Sequence, residues 1–151
     1  MRIRAYLSDL QPPLEFVSSV RSVVFSGDPV LVIRNRDGIH VLPGGRREPG
    51  ESIEATLRRE VGEETGWTID APRLLGFLHF YHLSPKPRDY RYPYPDFLQP
   101  IFLSEAAEFD ASCLLPDGYE LEAGFHRISE VPSLGYPDAF YLEAALRMRG
   151  A

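Results

Sequence analysis

The chain has 151 residues, 44% hydrophobic and 25% charged, an ordinary balance for one soluble globular domain whose core needs no staples. Its formal net charge of −6 argues against a general binder of long nucleic-acid backbone, although a compact anionic substrate still fits where bound metal neutralises the site. The single Cys113 rules out an intramolecular disulfide and reads as an inert small hydrophobe; no segment approaches the roughly twenty apolar residues of a membrane helix. Met1–Leu7 lacks the sustained apolar run of a signal peptide, so no membrane partner and a cytoplasmic location are expected.

In chain order, Ile3–Leu7 reads as a short strand ended by Pro12-Pro13. Phe16–Phe25, rich in Val and Ser, is a strand broken by Gly27-Asp28-Pro29. Val30–Ile33 is a second, apolar enough to be buried on both faces. Asn35-Arg36-Asp37-Gly38 is a hairpin turn, and Ile39–Leu42 a short strand entering the glycine turn Pro43-Gly44-Gly45. Arg34 and Arg36 are candidates to approach a phosphate; an exposed strand end explains them equally well.

A helix of about fifteen residues follows, ending at Gly66. At about 100° per residue, Ile53, Leu57 and Val61 form the apolar stripe, with Ala55, Arg58 and Gly62 on the solvent side. Glu60 and Glu64 lie one turn apart on the side of the stripe, and Glu63 flanks them. Carboxylates on a buried edge are costly, and three together raise one another's pKa unless a cation joins them. A solvated acidic face is the plainer reading. However, these acids share the apolar side, at a helix C-terminus whose dipole disfavours negative charge. The spacing favours a hard divalent ion such as Mg²⁺.

Gly45, Glu51, Arg59-Glu60-Val61, Glu63-Glu64, Gly66 and Trp67 together resemble a Nudix box. Trp67 stands where that family usually has Ile, Leu or Val, and the box covers about a sixth of the chain. The resemblance implies a single Nudix hydrolase domain over residues 1–151. Its expected fold is an α+β, α/β/α sandwich with a mixed sheet, the box helix on one side and a C-terminal helix. The implied reaction is hydrolysis of a small nucleoside-diphosphate-X compound with Mg²⁺, or Mn²⁺. By position, Glu60, Glu63 and Glu64 form the catalytic and metal-binding set, and the Gly45 carbonyl adds a ligand. Glu51 and Arg59 hold the turn and the carboxylates. The general base is either a box glutamate or one from a later segment, where Glu122 ranks ahead of Glu105 and Glu120. His40, where the family commonly has Trp, reads as a packing substitute.

Beyond the helix, Trp67–Ile69 and Leu74–Leu83 read as strands around Ala71-Pro72. The four prolines of residues 84–95 exclude a helix or a central strand. Tyr90, Tyr92 and Tyr94 are interleaved there with Lys86, Arg88 and Arg91. Tyr92 and Tyr94 are candidates to contact substrate; the alternatives are packing of the loop or a subunit contact. Asp96–Leu103 is a strand in which Pro100 suggests an edge or a bulge, and residues 104–116 are a mixed linker. Tyr119–Ile128 is a strand, and Asp138–Met148 a terminal amphipathic helix capping the sheet. The runner-up function is a non-catalytic Nudix scaffold that binds or senses a nucleotide. The identity of the diphosphate and a homodimeric state stay open.

Overall fold

Alternation along one strand sets the layers. In β2 (Ser19–Phe25), Val20 and Val24 join one buried cluster, while Val23 and Phe25 join another, as the two-residue period of a strand requires. The first cluster includes Ile53, Leu57 and Val61 of helix α1 (Ile53–Thr65); the second includes Tyr141, Leu142 and Ala145 of helix α2 (Asp138–Gly150). The sheet therefore lies between two helices, as the resemblance implies. The computed structural model describes residues 1–115 and 120–150, and every side chain among them but those of 120 and 121.

The described residues form an eight-stranded mixed sheet of order β1-β6-β7-β2-β3-β4, with β5 beside β2 and β8 beside β3. Here β1 is Arg2–Leu7, β3 Val30–Asn35, β4 Gly38–His40, β5 Gly44–Arg46, β6 Trp67–Tyr81, β7 Asp96–Phe109 and β8 Glu120–His126. Only β2 and β7 run parallel among the named strand pairs. No helix among the described residues is long and apolar enough to cross a membrane.

Several boundaries differ from the sequence reading. The stretch expected to be a strand from Phe16 opens with a single 3-10 turn, Leu14–Phe16, and β2 begins at Ser19. Val41 and Leu42 leave the ladder after His40 but stay buried, because the Val41 N–H donates to Asp138 Oδ2 at 2.8 Å. Ala71-Pro72 does not break β6. The register shifts between Asp70 and Arg73, Ala71 takes a φ of 49°, and the bulge absorbs the proline. Pro100 lies not at an edge but in central β7, opposite Phe77 and one residue before the ladder to β2 begins at Ile101. The supposed linker 104–116 begins as more β7, running to Phe109 against Trp67–Asp70. Its polar start misled because Ser104 Oγ and Ser22 Oγ satisfy each other at 2.8 Å in the core. Gly62 is buried, not solvent-facing: a 3-10 turn, Ala111–Cys113, covers it, and the Leu115 N–H donates to the Glu63 carbonyl. Tyr119 lies outside the described residues.

Candidate active site

Local chemistry fixes both ends of α1. Ser52 caps the N-terminus by accepting from the Ala55 N–H at 3.1 Å, and Gly66 ends the helix in the left-handed conformation with φ 79°. Before the cap, Glu51 Oε1 accepts from the Glu48 N–H and from Thr56 Oγ1, folding the turn onto the helix.

Arg59 is the hub. Its Nε and Nη2 bind Glu51 in a fork at 2.7 and 2.9 Å, and Nη1 donates to Glu60 at 2.9 Å and to Glu63 at 3.3 Å. Nη2 also reaches the Arg46 carbonyl at 2.9 Å, tying β5 to the helix. The guanidinium holds the Glu51 carboxyl down at about 2 and is itself raised by its acidic neighbours. Glu60 goes the other way. Burial raises its pKa, although Arg59 opposes the shift.

Gly45 brings β5 against Glu60: a Cβ on Gly45 would stand 2.3 Å from Glu60 Oε2. Among the described residues, no three His, Cys, Asp or Glu side chains converge as a ready metal cage, since Arg59 engages Glu60 and Glu63. The donor set nevertheless suits a hard divalent ion, being all oxygen and including a half-buried carboxylate beside backbone that lacks a side chain.

Two cavities flank β5. One, of about 580 Å³, is lined by Gly45 and Glu64 together with Arg21, His40, Phe80 and Gln99. The other, of about 650 Å³, is lined by Glu60, Arg46, Arg47, Arg91 and Tyr92. Glu60 and Glu64, one helical turn apart, thus look into different spaces.

The remaining candidates divide. Arg34 and Glu122 pair with each other at 3.1 Å, both more than half exposed, and neither lines either cavity. Arg36 is exposed in the β3–β4 turn. Glu105 is engaged by Arg149 at 3.4 Å, and the Glu120 side chain lies outside those described. Tyr94 stacks on His82 with ring centroids 4.9 Å apart, and His82 also meets Tyr90, so those two tyrosines pin the loop to the sheet end. Tyr92 instead lines the second cavity. His40 lines the first, its Nδ1 3.9 Å from Asp138 Oδ2. Sequence reasoning missed Arg21, whose Nη1 donates to the Leu42 carbonyl at 3.1 Å and whose Nε donates to Gln99 at 3.4 Å. A lone charged residue inside a strand of Val, Ser and Phe was the available signal. It also missed Arg46 and Arg47, which occupy box positions that specify no residue type.

A model of the NUDIX domain family matches residues 15–145. The NAD-capped RNA hydrolase NudC of Escherichia coli O157:H7 is 31% identical over 105 residues, 69% of this chain and 35% of that protein. The same enzyme of Citrobacter koseri is 32% identical over 105 residues, with the same coverage of 69% and 35%. The chain therefore spans about a third of the length of the curated relatives it matches. A NUDIX hydrolase from Nitrosomonas europaea superimposes with a TM-score of 0.67 at 24% identity, covering 87% of this chain and 90% of that one. The Bacillus subtilis pyrophosphohydrolase BsRppH gives 0.68 at 18% identity, covering 98% and 90%. With the family model spanning most of the chain and the box helix seated against the sheet, the chain belongs to the Nudix hydrolase family.

Proposed function

We propose that this chain, as a single hydrolase domain over residues 1–151, cleaves the diphosphate bond of a small nucleoside-diphosphate-X substrate with Mg²⁺ or Mn²⁺. The observation that carries this reading is the placement of Glu60 and Glu64, one turn apart, each facing its own cavity. A diphosphate lying across them has room for a different group on either side. Glu60, Glu63, Glu64 and the Gly45 carbonyl would hold the ion, which when bound would supply neutralisation of phosphate charge and activation of water. Arg59, anchored by Glu51, donates to Glu60 and Glu63 and orients both carboxylates. A box carboxylate, Glu63 or Glu64, accepts the proton of the attacking water at a carboxylate oxygen. Glu122 is the less favoured base because Arg34 engages it. In the first cavity, Phe80 and the fixed guanidinium of Arg21 offer a ring face and a cation to one arm of the substrate.

The relatives' name joins an NAD cap to RNA, so the charge argument against long nucleic acid applies to general backbone binding and not to a capped end. NAD and NAD-capped oligonucleotides therefore belong on the test panel with nucleotide sugars, ADP-ribose and dinucleoside polyphosphates.

The test is product release from that panel with Mg²⁺ and Mn²⁺. Glu63→Gln and Glu64→Gln should each lower kcat by at least about 100-fold while the melting temperature stays within a few degrees. Ligand-induced stabilisation without release from any substrate would instead establish the non-catalytic binding module.

A further inference from the structure

The second cavity holds more positive charge than the proposed reaction uses. Arg46, Arg47 and Arg91 all line it, and none has an ion-pair partner among the described residues. Acids line it too, and two of them are engaged by Arg59 rather than by these arginines. Glu60 is taken by Arg59, and exposed Glu48 lies 4.0 Å from the same guanidinium. Glu15 is exposed in the 3-10 turn.

The arginines gather around Tyr92. The Arg46 guanidinium lies over its ring at 4.4 Å, and Arg91 sits 5.4 Å from the ring centre and donates from Nη2 to the phenol at 3.4 Å. Both cations lower the phenol's pKa, a sign of local positive potential. Two polar atoms of residues that line it, Ser18 Oγ and Arg47 Nε, are buried with no hydrogen-bond partner among the described residues. Arg47 is otherwise held by the Glu51 carbonyl at 2.9 Å. Native proteins leave few such donors unused, so the hydrogen-bonding capacity of the Arg47 guanidinium is not fully spent within the described residues. Guanidinium groups without carboxylate partners match phosphate oxygens in geometry and charge.

We propose that this cavity is a second anion subsite, which holds a phosphate group of the substrate beyond the scissile diphosphate, on the Glu60 side of the box carboxylates. It rests on the hydrolase reading for its place in a substrate, but its occupancy can be read without turnover. Such a phosphate has two sources: a phosphodiester joining a further nucleotide to one arm, or additional members of a linear polyphosphate chain.

Binding is measured first, by calorimetric titration of tripolyphosphate into the full chain in EDTA, where no divalent ion can bridge phosphate to the glutamates. Saturable binding is expected. Arg46→Ala and Arg91→Ala should each weaken it about tenfold, Arg46→Lys should recover part of the loss, and Arg147→Ala, on the exposed face of α2, should leave it unchanged. No saturable binding, or equal binding by the Arg46→Ala/Arg91→Ala double variant, overturns the subsite.

Kinetics then separate the sources. NAD is compared with NAD bearing a 3′-linked nucleotide, and a dinucleoside diphosphate with the corresponding tetraphosphate. About a tenfold advantage in kcat/KM for the phosphate-richer member of either pair, collapsing in Arg46→Ala, supports the proposal and names the source. Equal rates within both pairs overturn the substrate assignment. Metal-free phosphate binding that the arginine variants abolish, with no turnover of any compound, would sink the hydrolase reading and leave the anion site standing.

Discussion

At Gly45 the box requires the absence of a side chain for a reason visible in one distance. A methyl there would stand 2.3 Å from Glu60 Oε2, far inside contact, so either the carboxylate or β5 must move. Because β5 is paired to β2 at Ser19, Val20 and Arg21 as well as tied to Arg59, it is the stiffer partner and the carboxylate yields. Gly45→Ala should therefore fold but bind Mg²⁺ about 10- to 100-fold more weakly, the usual loss when an ion's supporting shell is disturbed. Calorimetric Mg²⁺ titration checks this, and unchanged affinity would remove Glu60 from the ion's surroundings. Glu51 sets a different observable. Its carboxyl is lowered from 4.5 to about 2 by Arg59, so its stabilisation is complete above pH 4.5 and is lost as pH falls towards about 2. Glu60, raised above 4.5 by burial, has the opposite sign: the fold gains as Glu60 takes up its proton at pH above that value. The two windows do not overlap. In EDTA, the melting temperature of the wild type should drop between pH 4.5 and about 2 by more than that of Glu51→Gln. At neutral pH the variant should be about 2 kcal/mol less stable through loss of its charge-assisted hydrogen bonds. Parallel pH curves would show that the fork contributes nothing to stability.

The α1 element shows where pattern reading succeeds and where it stops. Its stripe, its glycine stop and the side shared by Glu60 and Glu64 follow from helical periodicity, which depends on residues within one element. Gly62 does not, because what covers it comes from Ala111–Cys113, about fifty residues later in the chain. The same limit explains β6 and β7. Pro72 and Pro100 look like breakers locally, and it is the pairing partner that absorbs one in a bulge and places the other just before a parallel ladder starts. For the site, the carboxylates and Arg59 were legible because they lie within one helical segment. Arg21 and the Arg46–Tyr92 stack were not, since each cavity is built from strands and loops far apart in sequence. A helical glycine that serves no turn is also a place to gain stability. Among the described residues, a Cβ on Gly62 would meet nothing nearer than Cys113 Cβ at 3.6 Å, an ordinary contact. Gly62→Ala should stabilise the protein by about 0.5–1 kcal/mol, the helical preference of Ala over Gly, as read by chemical denaturation. Destabilisation would mean that the 3-10 turn over the helix cannot accommodate even a methyl.

Across the whole molecule, α2 does more than cover the sheet. Asp138, at its start, accepts from the Val41 N–H, and residues 136–138 line the first cavity, so the helix helps to set the cavity's shape. Further along, the fully buried Tyr141 sends its hydroxyl to the carbonyls of Tyr6 at 3.1 Å and Phe77 at 2.8 Å, which face each other across β1 and β6. One hydroxyl therefore fastens α2 to the outermost pair of the sheet. β1 depends on this, since its side chains are mostly exposed and β6 is its one neighbour in the strand order. Tyr141→Phe keeps the ring in place and deletes the fastening. The expected cost is about 1–2 kcal/mol, which in a domain of this size lowers the melting temperature by roughly 2–8 °C. Hydrogen exchange tells a local loosening from a general one. The β1 and β6 amides from Ala5 to Leu7 and Gly76 to Leu78 should lose protection by about tenfold more than those of α1. An equal loss in α1 would mean that the two faces of the sheet open together and that β1 has no separate dependence on α2.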